Sequence, residues 1–290
     1  MHRALFGLFV YLNLAAICPS TLTAAHAADL LVTTCGTVVP SGAKGILQAD
    51  LDCAAAPANQ AAVVLQQKAS LSLGGFTLTG APDGIAIRCS RNCTVEGPGT
   101  ITSAAPGGPG ILRAACIRAL LDAGDRPRSQ RLTIQNLTLG GCGSGVVGDT
   151  GKLGAKLTVT DVVATGNDAS FIGSSIRARN VTASNGTGAG FLAPTGKMTG
   201  VDVHADNNDP DGIDVARVIL TDSTAIGNTA FGVRALVGGA KLVRTTATGN
   251  GLRDVVSAKA PRVDALTCDT SARWIPPNGI GAAWGVCTAD

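Results

Sequence analysis

Aromatic side chains are almost absent from this sequence: six Phe, two Trp and one Tyr serve 290 residues. Carbohydrate grooves usually expose aromatic rings, so little is left for building one. Histidine is scarcer still. Of three, only His204 lies beyond the first 27 residues. With so few imidazoles and unsuitable cysteine spacings, a zinc site is not expected. Charge is low. Lys and Arg total 23, Asp and Glu total 20, and the cations form no run along the chain. Nucleic acid is therefore not an expected partner. Beyond the leader, no apolar stretch reaches the roughly 20 residues that a spanning helix needs, so no membrane span is expected. Few Lys and Glu stand beside abundant Thr, Val, Ala and 38 Gly. That balance fits many short strands joined by tight turns and argues against helices.

Residues 1–27 read as a signal peptide. His2 and Arg3 supply a basic start, residues 5–17 are apolar, and Ala25-His26-Ala27 fits a small-residue cleavage site. The expected mature chain is a single domain, 28–290, secreted or periplasmic and monomeric. Within it, 28–68 reads as an N-terminal cap region, 69–267 as coils and 268–290 as a C-terminal cap. It keeps eight cysteines, and 143–267 has none. An even number in an exported chain reads as disulfides. Sequence alone does not fix the pairing. Proximity favours Cys35–Cys53, Cys89–Cys93, Cys116–Cys142 and Cys268–Cys287, as staples near the two ends.

What dominates the sequence is a degenerate repeat of roughly twenty residues, the signature of a solenoid. Segments 132–139, 157–164, 176–183, 198–205, 218–225 and 240–247 align. Their last residues, Leu139, Ala164, Ala183, Ala205, Ala225 and Ala247, form a small apolar column expected to point inward. Apolar residues also recur seven and five before this anchor, the period-2 pattern of a half-buried strand. Three before it stand Asn136, Asp161, Asn180, Asp202, Asp222 and Arg244, where a bend is expected, because Asn and Asp tolerate left-handed backbone. Eight after it stand Val147, Ile172, Phe191, Ile213, Val233 and Val255, read as a second buried strand. The expected fold is all-β, a right-handed parallel β-helix of roughly nine or ten coils with disulfide-stapled ends.

Two early segments carry a resemblance. Leu71-Ser-Leu-Gly-Gly-Phe-Thr-Leu-Thr-Gly80, followed by Val95-Glu-Gly-Pro-Gly-Thr-Ile-Thr102, resembles the first coils of bacterial right-handed β-helix repeat proteins of the pectin lyase-like superfamily. Cys35-Gly36 and Asp50-Leu-Asp-Cys53 are similar to their N-terminal region. The resemblance implies a parallel β-helix that acts as a polysaccharide lyase, glycoside hydrolase, esterase or epimerase, or serves as an adhesin without catalysis. The chain departs from it in two respects. It lacks the paired-aspartate and His-Gly cluster of polygalacturonases. It also lacks the Arg-x-Pro-x-x-Arg pattern of pectate lyases, since Arg126-Pro127-Arg128 is shorter. Trp274 and Trp284 fall in the disulfide-bearing tail, where packing is their expected role.

The stretch from His204 to Asp214 is the one place where chemistry concentrates. Asn207-x-Asp209-x-Asp211-Gly212 resembles the front half of a calcium loop, with alternating oxygens and a Gly for the turn. Val218 stands where a bidentate Glu belongs, so a complete EF-hand is excluded. One reading makes Asp209, Asp211 and Asp214 calcium ligands. The plainer reading is a polar turn. Asp214 and Arg234 both lie nine after their anchors and are expected side by side, facing outward. They form either a substrate-binding pair for an acidic sugar or a surface ion pair. In the catalytic version Arg234 neutralises a substrate carboxylate, and His204 is the candidate base. His204 shares its column with Thr138, Val163, Thr182, Thr224 and Thr246. Two functions follow: binding or processing of extracellular, acidic polysaccharide, or surface binding without catalysis.

Overall fold

The structure is a computed structural model that describes residues 29–57, 60–82, 84–104, 114–120, 130–148, 154–277 and 279–290. The leader, its cleavage point and Arg126-Pro127-Arg128 lie outside them. The described residues form a parallel β-solenoid of about nine turns and contain no helix. Three columns of strands run along it. The first stacks Leu30–Val32, Lys44–Leu47, Ser70–Ser72, Cys93–Glu96 and the front halves of the long strands from Arg131–Gly140 onward. The back halves of those long strands continue a second column from Thr77–Gly80 and Thr100–Ser103. The third stacks Thr37–Val39, Val63–Leu65, Ile85–Cys89, Ala115–Ala119, Ser144–Val147 and Ala169–Ile172, and runs on to Ser271–Ile275.

The anchor column is the spine of the core. Leu78, Ile101, Leu139, Ala164, Ala183 and Ala205 are register partners in sequence, and all are fully buried. Ala225 and Ala247 continue it, and Cys268 ends it. Phe171 and Phe191 stack inside the solenoid with ring centroids 5.0 Å apart.

Six successive coils, from the one with Asn136 to the one with Arg244, bend sharply at two places. The first is the Asn/Asp column: Asn136, Asp161, Asn180, Asp202, Asp222 and Arg244 all adopt φ between 45° and 56°, and Ala265 joins them at 53°. The second lies two residues after the anchor, where Gly141, Gly166, Asn185, Asn207, Gly227 and Gly249 have φ between 55° and 67°. Left-handed backbone is open to Gly at no steric cost and to Asn through local hydrogen bonding.

Beside the second bend an asparagine ladder runs through the interior. The Asn208 side chain accepts a hydrogen bond from the Gly186 amide and donates to the Ala183 carbonyl, at 3.2 and 2.9 Å. Asn228 repeats this with the Asn208 amide and the Ala205 carbonyl, and Asn250 with the Asn228 amide and the Ala225 carbonyl. Each turn thus satisfies buried backbone groups of its neighbour, as an interior bend requires. Asp254 closes the ladder. It accepts from Asn250 Nδ2 on one oxygen and from the Asp269 and Thr270 amides on the other.

All four disulfides join the sequence neighbours: Cys35–Cys53, Cys89–Cys93, Cys116–Cys142 and Cys268–Cys287. Parallel stacking already begins at Leu30, within the N-terminal region. One expectation is corrected. Val147 and Ile172 do not share the column of Phe191; their neighbours Val146 and Phe171 do. The turn between Ala183 and Phe191 is one residue longer than that between Ala164 and Phe171, which shifts the register. Val147 and Ile172 are buried as expected, but on the opposite face of the strand, in a small cluster outside the main core.

Candidate functional site

That outward column of the third sheet carries the site. Along it Arg118, Val147, Ile172, Leu192, Asp214, Arg234, Val256 and Ala272 follow one another in register. Most of it is apolar. Ala115, Val147, Ala169 and Ile172 form one small outer cluster, with Leu192 packed on it. Phe231, Val256, Ala272 and Trp274 form another. Asp214 and Arg234 lie between the two, a charged pair in apolar surroundings.

The pair is more elaborate than its spacing suggests. Arg234 Nη2 donates to Asp214 Oδ2 at 2.6 Å and also lies 2.7 Å from Asp211 Oδ2. The guanidinium carbon sits 4.9 Å from the Phe231 ring centroid and 5.6 Å from that of Trp274, within cation–π range. The side chains of Asp211 and Asp214 are only 3% and 10% exposed, and that of Arg234 is 21% exposed. Trp274, expected to pack in the tail, does so against this arginine. The other tryptophan, Trp284, donates from Nε1 to the Ser257 carbonyl.

Two carboxylates here share one cation. Burial pushes Asp211 up to about 6, assisted by the Asp214 charge and opposed by Arg234 and by a hydrogen bond from the Phe231 amide. Burial also works against the Arg234 charge. The Asp214 hydrogen bond and both carboxylates outweigh it and hold the guanidinium above its usual value. Asp214 Oδ1 and Arg234 Nε are buried without a hydrogen-bond partner among the described residues. Beside the trio opens a depression of about 480 Å³, walled by Asp168, Thr187, Leu192 and Pro210 as well as the trio itself. A carboxyl group raised as Asp211 is can hold and release a proton near neutral pH.

The remaining sequence candidates go elsewhere. Asp209 is hydrogen-bonded to the Thr229 hydroxyl. Arg234 takes the place between Asp211 and Asp214 that a cation would occupy. Among the described residues no three His, Cys, Asp or Glu side chains are arranged to hold a metal ion. The calcium triad of Asp209, Asp211 and Asp214 is thus not assembled. His204 lies on the second column of strands. Its ring nitrogens meet the Thr224 hydroxyl at 3.0 Å and Asp202 at 3.2 Å, so it does not join the Arg234 patch. Sequence reading missed Phe231 and Trp274 as partners of Arg234. Phe231 lies three residues before it, but Trp274 arrives through the last coils, and no spacing announces that.

No family model, curated protein or solved structure matches this chain.

Proposed function

We propose that this chain is an exported β-solenoid, of the pectin lyase-like kind, that binds extracellular polysaccharide in the depression beside Leu192 and hydrolyses it there. The observation that carries this reading is the unequal carboxyl pair held by one guanidinium. Asp211, with a pKa of about 6, is suited to protonate a leaving glycosidic oxygen. Asp214, 2.6 Å from Arg234, is the second carboxyl group, placed to face a developing oxocarbenium ion. Arg234 positions both. Four disulfides support export, since such bonds persist in oxidising compartments. The lyase version has less support, because Arg234 is already engaged by two carboxylates.

A second reading is binding without catalysis. The enclosure of Arg234 between Phe231 and Trp274 favours it, because a guanidinium locked in that way also serves a purely structural ion pair.

Paired assays separate the readings. A panel of neutral and acidic polysaccharides is followed for new reducing ends and for the ultraviolet absorbance of an unsaturated product. Hydrolysis predicts reducing ends without absorbance, lost in Asp211→Asn. Absorbance would restore the lyase. Silence in both assays with measurable binding would leave the second reading.

A further inference from the structure

Along the sequence the cations are scattered, but stacking gathers them. Strands of a sheet lie about 4.8 Å apart, so residues one coil apart become neighbours. On the first sheet Arg131 pairs in register with Lys156, Lys197 with Arg217, and Lys241 with Arg262. Arg177 and Arg179 stand on the strand between Lys156 and Lys197, beside Thr158 and Thr160. All eight side chains are exposed. None forms a salt bridge with another described residue. From Arg131 to Lys241 the outward positions of this face, short of the bend, hold no carboxylate. Glu96, one coil before Arg131, and Asp264, on the last coil, bound that stretch.

Like charges directly opposite one another destabilise a sheet, and this face has three such pairs. The third sheet has one like-charged register pair, Arg88 with Arg118, but elsewhere charges are matched. Asp214 is stacked on Arg234, and at the bend Asp222 holds Arg244 through two hydrogen bonds. Two depressions also lie among the cations. One of about 330 Å³ is lined by Lys68, Asn92, Gln130, Arg131 and Lys156. Another of about 260 Å³ runs from Arg131 and Lys156 past Thr158 and Ser175 to Arg177.

We propose that the outward face of the first sheet is a docking surface for an acidic polysaccharide lying along the solenoid axis. An anionic chain in that direction meets cations at most coils, and intervening threonine hydroxyls are placed to bond sugar oxygens. Among the described residues no aromatic side chain stands on this face for stacking nucleic-acid bases. Among the described residues of this sheet, exposed Leu31 lies on the first strand, away from the cationic stretch, and Val201 lies within it, and no Trp or Phe is exposed there as on a membrane-inserting face. The surface is separate from Asp211 and acts whether or not that residue is catalytic.

The test is equilibrium binding of the full chain to polygalacturonate, dextran sulfate, neutral dextran, duplex DNA and phosphatidylglycerol vesicles. The acidic glycans should bind, more weakly as salt rises, and neutral dextran should not. The triple variant Lys156→Gln, Arg177→Gln, Lys197→Gln should lose at least about tenfold in affinity and flatten the salt dependence. Its circular dichroism should match the parent. Arg253→Gln, at an exposed cation on the third sheet, should bind like the parent, and the triple variant should keep any hydrolytic activity on short substrates, which separates this surface from the hydrolytic site. Unchanged affinity in the triple variant, no binding of either acidic glycan, or tighter binding of DNA or vesicles would overturn the proposal.

Discussion

Asp214 and Arg234 are register partners on adjacent strands, and their side chains meet at 2.6 Å in a mostly apolar column. The guanidinium also holds Asp211, so one cation supports two nearly buried carboxylates. Removing one member of a buried pair strands the other. Arg234→Met should destabilise the fold by about 3–5 kcal/mol, read by urea unfolding. Adding Asp214→Asn to that variant should recover part of the loss. An Arg234→Met chain as stable as the parent would show that the pair is not buried as described.

The asparagine ladder gives a second prediction. Asn228 accepts from the Asn208 amide and donates to the Ala205 carbonyl, both buried in the bend. Asn228→Ala leaves both backbone groups unsatisfied and should reduce stability by about 2–4 kcal/mol. Thr187→Ala, at an exposed position nearby, should change it far less.

The disulfides should differ in weight. Cys268–Cys287 closes a separation of 19 residues and Cys89–Cys93 one of 4. Loop-closure entropy grows with length, so replacing the first pair by Ser should reduce stability by about 2–4 kcal/mol and the second pair by less. Thermal unfolding of the two double variants ranks them.

Much of this architecture was legible in the sequence. The Ala164–Ala183–Ala205 spine, the left-handed bends at Asn136 through Arg244, and the Asp214–Arg234 adjacency all follow from one repeat read in columns. The asparagine ladder was equally readable, since Asn167, Asn208, Asn228 and Asn250 each lie three after an anchor. It looks like turn composition until burial shows what the amides bond. Other features were hidden for physical reasons. One extra turn residue before Phe191 turned Val147 and Ile172 to the outside. The cationic face was invisible because its members lie about a coil apart in sequence and meet only by stacking. The calcium reading of Asp209, Asp211 and Asp214 rested on local spacing and took no account of Arg234 arriving from the next coil.

Stability should respond to pH through two opposing groups. Asp211 titrates at about 6 in the folded chain against an ordinary 3.8, so the native state holds its proton more tightly. Its contribution is full below pH 3.8 and is lost as pH rises through about 6. Asp290 behaves oppositely. Burial raises it, but hydrogen bonds from the Ser271 hydroxyl and the Cys287, Ser271 and Val286 amides outweigh burial and hold it below its ordinary value. Its contribution is present above the ordinary carboxylate range and lost as pH falls through its lowered value. Melting temperature should therefore decline between about pH 4 and 6.5, and Asp211→Asn should flatten that decline.

The most direct measurement is a carbon-13 NMR titration of the aspartate carboxyl groups, with Asp211 assigned by its absence in Asp211→Asn. One carboxyl should titrate near 6 and vanish in that variant. If Asp211 instead titrates at the ordinary 3.8, it carries no proton to donate near neutral pH, and the acid pair proposed for hydrolysis is contradicted.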